Sequence, residues 1–178
     1  TSSVGLALMH EVLGVASGCR VPVVMPVVNR ALVSPWSLWC DHQDSMAVKD
    51  SGWIQIYAEN PQEVLDLLLV GYRLAERSDV LLPAMICFDG FFVSHSLQRA
   101  DVPEQDAVDC FLSEYRARNL YLDAADPMFI NNLTSPGEFS EMRYQQKVAF
   151  ENSPPVIAEV LEDFAHRFGR KYDSLEAY

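Results

Sequence analysis

The chain has 178 residues, 49% of them apolar and 11% aromatic, with 25 acidic against 13 basic side chains and a formal charge of −12. That length and composition fit a globular domain. The shortage of Lys and Arg argues against nucleic acid as a partner, and the acidic excess argues against an anionic membrane surface. The richest apolar run, Val21 to Val28, falls well short of the roughly 20 residues that a membrane-crossing helix needs.

The N-terminus reads Thr1-Ser2-Ser3-Val4-Gly5, without an initiator Met or a charged-then-apolar leader, so the expectation is a piece of a longer chain. Ser3 is a candidate N-cap. Leu6 to Ala16 is apolar nearly all round, which predicts a helix sandwiched between a sheet and a neighbour, with Gly18 closing it. Val21 to Val28 is rich in β-branched residues and reads as a buried parallel strand. Pro26 removes a ladder donor there, so a bulge, a ragged end or an early stop is expected. Trp53 to Ala58 has strand composition and runs into Asn60-Pro61-Gln62-Glu63, where an N-cap, an N1 proline and an N3 glutamate fall in order. The helix that follows has apolar positions Val64, Leu67, Leu68, Gly71, Tyr72 and Ala75, the spacing of a face laid on a sheet. Pro83 to Phe88 gives another buried strand and ends in the turn signal Asp89-Gly90. This order predicts an α/β fold with parallel strands, whose ligands collect beyond the carboxyl ends.

From residue 97 apolar density falls, and Pro103, Pro127, Pro136 and the stretch Asn131 to Gly137 mark a connecting strap. Two more helices are expected, Phe139 to about Phe150 and one from Ser153 carrying Val156, Ile157, Val160, Leu161, Phe164 and Phe168. After Gly169 a new helix start is expected before Tyr178, at the threshold of a further domain. The division is therefore an α/β unit over 1–96, then strap and helices over 97–178. Cys19, Cys40, Cys87 and Cys110 form no CxxC pair and no dense framework, so they read as reduced thiols packed in a cytoplasmic protein rather than metal ligands or disulfides.

The segment Asn29 to Asp44 leaves the end of a buried strand carrying one guanidinium, two tryptophans and a polar cluster, the composition of a pocket wall. Arg30 there either grips a small carboxylate in a bidentate fork or pairs one of the surplus acids. Asp41-His42-Gln43-Asp44 either presents an acid–base histidine or is a structural cluster that binds backbone amides or a neighbouring subunit. Trp36 and Trp39 read as interface or core residues before substrate-stacking ones. His10, His95 and His166 are isolated and read as structural. Asp89-Gly90-Phe91 matches the kinase magnesium triplet only as letters, and no GxGxxG, Walker A, GxSxG or HExxH pattern is present.

Four segments in order, Thr1 to Met9, Val27 to Leu32, Asp41 to Ser45 and Asp89 to His95, with Gly169-Arg170-Lys171-Tyr172 beyond them, resemble the α subunit of the 2-oxoacid:ferredoxin oxidoreductases. Pyruvate:ferredoxin oxidoreductase is the nearest member. The resemblance implies the pyrimidine-binding half of a thiamine diphosphate site, here N-terminally incomplete. It also implies CoA-dependent oxidative decarboxylation of a 2-oxo acid, with electrons passed to ferredoxin. A β subunit would carry the diphosphate and Mg²⁺ site, and the [4Fe-4S] clusters would lie on partner subunits. Arg30 matches the arginine that reads the substrate carboxylate. Thr1, Ser2 and Ser3 would face the cofactor through the start of a helix, and Asp41, His42 and Gln43 would shape the mouth of the site. Val4 and Pro26 depart from the family pattern, and the family's Tyr-Pro-Ile-Thr-Pro segment and its pyrimidine-protonating glutamate are expected upstream of Thr1. Other thiamine diphosphate enzymes, of the transketolase or decarboxylase type, and a non-catalytic assembly module of the same fold stay open as alternatives.

Overall fold

The computed structural model describes residues 1–117 and 119–172. The elements in chain order are α1 (Ser3–Leu8), α2 (His10–Gly18), β1 (Val24–Asn29), α3 (Gln43–Met46), a short 3₁₀ turn (Lys49–Ser51), β2 (Ile54–Ala58), α4 (Pro61–Ala75), β3 (Ala84–Asp89), α5 (Gln105–Phe111), α6 (Pro136–Glu151) and α7 (Ser153–Phe168). The three strands are parallel in the order β1-β3-β2. Alternation along β3 separates two apolar layers. Ala84 and Ile86 join β2, α4, α5 and α7 on one face through Leu67, Val70, Leu74, Phe111, Val160 and Phe164, while Met85 and Cys87 join Leu6, Leu13, Val27, Val48 and Trp53 on the other.

Several expectations about local structure are corrected. The N-terminal apolar stretch is two short helices interrupted at Met9, and its N-cap is Ser2. One face packs on the sheet through Leu6 and Leu13, and within this chain the other is uncovered, with Val4, Leu8 and Val12 55%, 82% and 64% exposed. Gly18 does not close α2. The left-handed residue is Arg20, at φ 58°, with Arg20 N donating to Ser17 O and Val21 N to Ala16 O in a Schellman pattern. The cost of that φ is offset by the Arg20 guanidinium, which donates to the carbonyls of Val80 and Leu81.

Pro26 produces no bulge: among the described residues β1 is an edge of the sheet, and its register with β3 runs unbroken from Val24–Ala84 to Asn29–Asp89. Two residues on, Val28 N points away from β3 and donates to Thr1 O at 2.9 Å. By the two-residue period, Pro26 turns its missing donor to the same open side.

The start of α4 is as predicted, with Asn60 Oδ1 accepting from Glu63 N at 3.0 Å. Its buried face is Asp66, Leu67, Val70, Gly71, Leu74 and Ala75, with Val64 and Leu68 packed against the same core, so the expected stripe holds except at Tyr72, which is 42% exposed. The helix α5 lies in the strap, where no helix is expected, and α6 and α7 match the two helices expected beyond it. The helix start expected beyond residue 172 lies outside the described residues. Residues from the strap and α7 share one core with α4 and the sheet. Of the cysteines, Cys87 is buried, Cys19 is half-buried, and Cys40 and Cys110 are exposed, so the packed-thiol reading holds for Cys87 alone among the fully enclosed positions. Among the described residues, no helix is long and apolar enough to cross a membrane.

Candidate functional site

The strands end together at Asn29, Ala58 and Asp89, and the chain brings the predicted segments to that edge. Gly90 is required there, since a Cβ on it would lie 2.4 Å from the Asn29 carbonyl oxygen, which accepts from Gly90 N at 3.0 Å. Asp89, half-buried, accepts from the amides of Phe91 and Phe92. Burial pushes its pKa up, but the Cys40 thiol and those two amides outweigh burial and hold the carboxyl below its ordinary value. Correspondingly, the hydrogen bond to Asp89 raises the exposed Cys40 thiol.

Asp44 is the centre of this edge. It is 1% exposed, and its carboxylate accepts from Asn29 Nδ2 at 2.7 Å, Ser45 N at 2.8 Å, Ser3 N at 2.8 Å and Arg30 N at 3.1 Å. The polar set continues through Asn29 Nδ2 to Ser45 Oγ at 2.8 Å, Ser45 Oγ to Tyr57 OH at 2.9 Å and Tyr57 OH to Gln55 Oε1 at 3.1 Å. Burial pushes the Tyr57 phenol up to about 12.

The predicted site residues occupy distinct positions around this centre. Ser3 is buried and wholly committed: its amide donates to Asp44, and its hydroxyl donates to Ala31 O at 2.9 Å. Its amide therefore does not face a ligand, as the helix-start reading expected. Thr1 is exposed and braces β1 through its carbonyl, and the half-buried Ser2 accepts from Gly5 N. Asp41 closes a local turn by accepting from Gln43 N at 2.6 Å. His42 is exposed and rests edge-on against Tyr57 with ring centroids 5.0 Å apart. Trp36 and Trp39 are 72% and 64% exposed and belong to no core of this chain. Trp39 lies against Phe91, which in turn stacks on His95, so His95 is not isolated.

Arg30 follows directly on the end of β1. Among the described residues none of the ion pairs involves it, and its Nε is buried without a hydrogen-bond partner. No surplus acid among the described residues pairs with it. Next to it Asn29 Oδ1 is likewise buried and unpartnered. Which Asn29 atom is the oxygen is fixed by Asp44, an acceptor that requires the amide nitrogen on its side. Two clefts, of about 610 Å³ between α2 and the strap and about 570 Å³ around Arg20 and Arg77, lie elsewhere and include none of these site residues.

The structural alternative for Asp41-His42-Gln43-Asp44, a cluster that binds backbone amides, describes Asp44, which accepts from the amides of Ser3, Arg30 and Ser45; Tyr57 has no role in the sequence reading. For Asn29 the available signal was a polar residue closing a strand otherwise made of Val, Met and Pro.

Residues 1–162 match the family described as pyruvate flavodoxin/ferredoxin oxidoreductase, thiamine diphosphate-binding. Pyruvate synthase subunit PorA of Pyrococcus abyssi is 48% identical over all 178 residues, which is 45% of its own length. The PorA subunit of Methanothermobacter thermautotrophicus is 47% identical over the whole chain and 46% of its length. The ketoisovalerate oxidoreductase subunit VorA of Pyrococcus horikoshii is 42% identical over 98% of the chain and 44% of its length. The chain thus spans about half the length of the curated relatives it matches. Its sequence match and its helix-flanked parallel sheet agree: the chain belongs to the thiamine diphosphate-binding family of pyruvate flavodoxin/ferredoxin oxidoreductases.

Proposed function

We propose that this chain is part of the α subunit of a thiamine diphosphate-dependent 2-oxoacid:ferredoxin oxidoreductase. The reaction is the CoA-dependent oxidative decarboxylation of pyruvate to acetyl-CoA and CO₂, with the electrons passed to ferredoxin. The observation that carries the reading is the Arg30 guanidinium, set at the carboxyl end of β1 with a buried, unpartnered Nε and no ion pair among the described residues. An uncompensated buried donor is costly, about 1–3 kcal/mol, and persists where a ligand completes it. The residues fit the groups involved: Asn29 Oδ1 is an open acceptor suited to an N–H of an aminopyrimidine, and Arg30 is an open cation suited to a carboxylate.

Thiamine diphosphate, when bound, supplies a carbon nucleophile for the 2-oxo group and an electron sink once CO₂ has left. Arg30 holds the departing carboxylate through paired N–H donors and orients the oxo carbon. A guanidinium does not deprotonate in proteins, so it fixes the substrate without offering a base that would shuttle protons near the reacting carbon. Thr1, Ser2 and Ser3 support the cofactor side as a braced turn, and Asp41, His42 and Gln43 form the rim. Residues 1–96 carry the cofactor and substrate contacts, and α5, α6 and α7 complete the core. A β subunit with the Mg²⁺ and [4Fe-4S] sites, together with coenzyme A and ferredoxin, completes a cytoplasmic assembly; the relatives' names as subunits support such partners.

Arg30→Ala in the complete enzyme tests this. The expected result is a raised KM for pyruvate and a kcat/KM lower by about 10²–10³-fold, whereas an unchanged kcat/KM overturns the role. A branched 2-oxo acid is the second reading, favoured by the 42% identity to the ketoisovalerate enzyme subunit. Turnover of pyruvate against 2-ketoisovalerate by the native complex separates the two. Iron–sulfur absorbance in the purified assembly distinguishes both from a transketolase-type or decarboxylase-type enzyme.

A further inference from the structure

We propose that Asp44 is the positioning residue for Arg30: a buried carboxylate that fixes the backbone from which the substrate-binding guanidinium projects. The inference rests on the reading of Arg30 as the carboxylate-holding residue.

All four partners of the Asp44 carboxylate are N–H donors, Asn29 Nδ2 and Ser45 N on Oδ1 and Ser3 N and Arg30 N on Oδ2. An ionised carboxylate, which only accepts, satisfies all four. An asparagine would not, because in either orientation its NH₂ group would face two N–H donors. The donors come from three separate pieces of chain, the 1–3 turn, the end of β1 and the start of α3, and these converge where residue 30 leaves the sheet.

The bond from Arg30 N fixes one side of that residue. On its other side, Ala31 O accepts from Ser3 Oγ at 2.9 Å, and Ala31 N donates to Trp39 O at 3.4 Å. The Arg30 backbone is therefore held on both flanks, by the Asp44 carboxylate on one and by the bonds of Ser3 and Trp39 to Ala31 on the other. Its Nε has no protein partner. Direction comes from the network, and the head is left for a ligand. Asp44 need not touch substrate to do this. It is held by neutral dipoles rather than by a cation, so it anchors Arg30's main chain without drawing on its charge.

The test is a double-mutant cycle in the complete enzyme with Arg30→Ala, Asp44→Asn and both together. It is read as KM and kcat for pyruvate and as the inhibition constant of oxamate, an unreactive carboxylate of the same shape. Asp44→Asn alone is expected to raise KM and the oxamate constant by about tenfold to a hundredfold, with kcat changed far less. In the Arg30→Ala background it is expected to add almost nothing, because the two act through one contact. If Asp44→Asn leaves both constants unchanged, or its effect is fully additive with Arg30→Ala, the positioning role is overturned while the reading of Arg30 stands. If Arg30→Ala itself leaves both constants unchanged, the underlying reading fails instead. Should Asp44→Asn not yield folded enzyme, Ser3→Ala removes only the hydroxyl brace on Ala31. The same cycle then applies, with a smaller expected rise and the same non-additivity.

Discussion

Two buried carboxylates of this protein have solved the same problem in opposite ways. Asp44, at the carboxyl edge, is 1% exposed and is satisfied by four N–H groups, none of them cationic. Asp66, on α4, is 0% exposed. Its partners are Arg170 in a bidentate fork at 2.6 and 2.9 Å, Tyr172 OH at 2.5 Å and Gln62 Nε2 at 3.1 Å. Arg170 reaches Asp101 as well, at 3.0 Å, so the clasp ties α4, the strap and the end of α7 together. The Asp66 clasp consumes its arginine, whereas the Asp44 network leaves Arg30 unspent. An arginine placed beside a buried acid is structural when their side chains meet and available when only its backbone is used.

The largest effect expected to test this contrast is that of Arg170→Ala. It leaves a fully buried carboxylate without its cation and should cost about 3–5 kcal/mol of unfolding free energy, measured by denaturant titration. A cost under about 1 kcal/mol would mean that the fork is ornamental. Tyr172→Phe removes one hydrogen bond to a charged acceptor and should cost about 2 kcal/mol.

The same tyrosine sets a pH signature. Burial, followed by the bond to Asp66, raises the Tyr172 phenol above its ordinary value of about 10. A raised folded-state pKa gives stability that is complete below pH ~10 and is lost as pH climbs beyond it, because the unfolded phenol ionises first. Tyr57, pushed up to about 12 chiefly by burial, adds a loss in the same direction between pH ~10 and ~12. Tyr172→Phe should therefore flatten the alkaline limb, and an unchanged limb would remove Tyr172 from its cause. The smallest effect belongs to Arg30→Ala, which should move stability by less than about 1 kcal/mol in either direction while sharply impairing use of the oxo acid. A loss as large as that of Arg170→Ala would show that Arg30 is a second structural clasp and erase the contrast.

Much of the architecture was legible because local chemistry and tertiary packing agreed. Asn60-Pro61-Gln62-Glu63 announces α4 by capping rules that need no partner, and the apolar runs around Val27 and Ile86 have no use except burial between layers. Reading failed where an element's environment, rather than its composition, decided the outcome. Pro26 is harmless only because β1 lies, among the described residues, at an edge with its odd side open, which composition does not reveal. The outer surface of α1 and α2 is open within this chain, and Trp36 and Trp39 fall on the interface side of an interface-or-core reading, because apolarity alone does not say which neighbour covers it.

The sequence by itself determined the periods, caps and buried runs that make an α/β unit of parallel strands, and the short-range order of residues that marks the family, since these depend on interactions within a few positions. Only the tertiary structure decided which acid meets which arginine. Asp44 lies 14 residues from Arg30 and 41 from Ser3, and Asp66 lies 104 from Arg170. Contacts of that span leave no local pattern, because chain folding and not spacing brings these groups within reach.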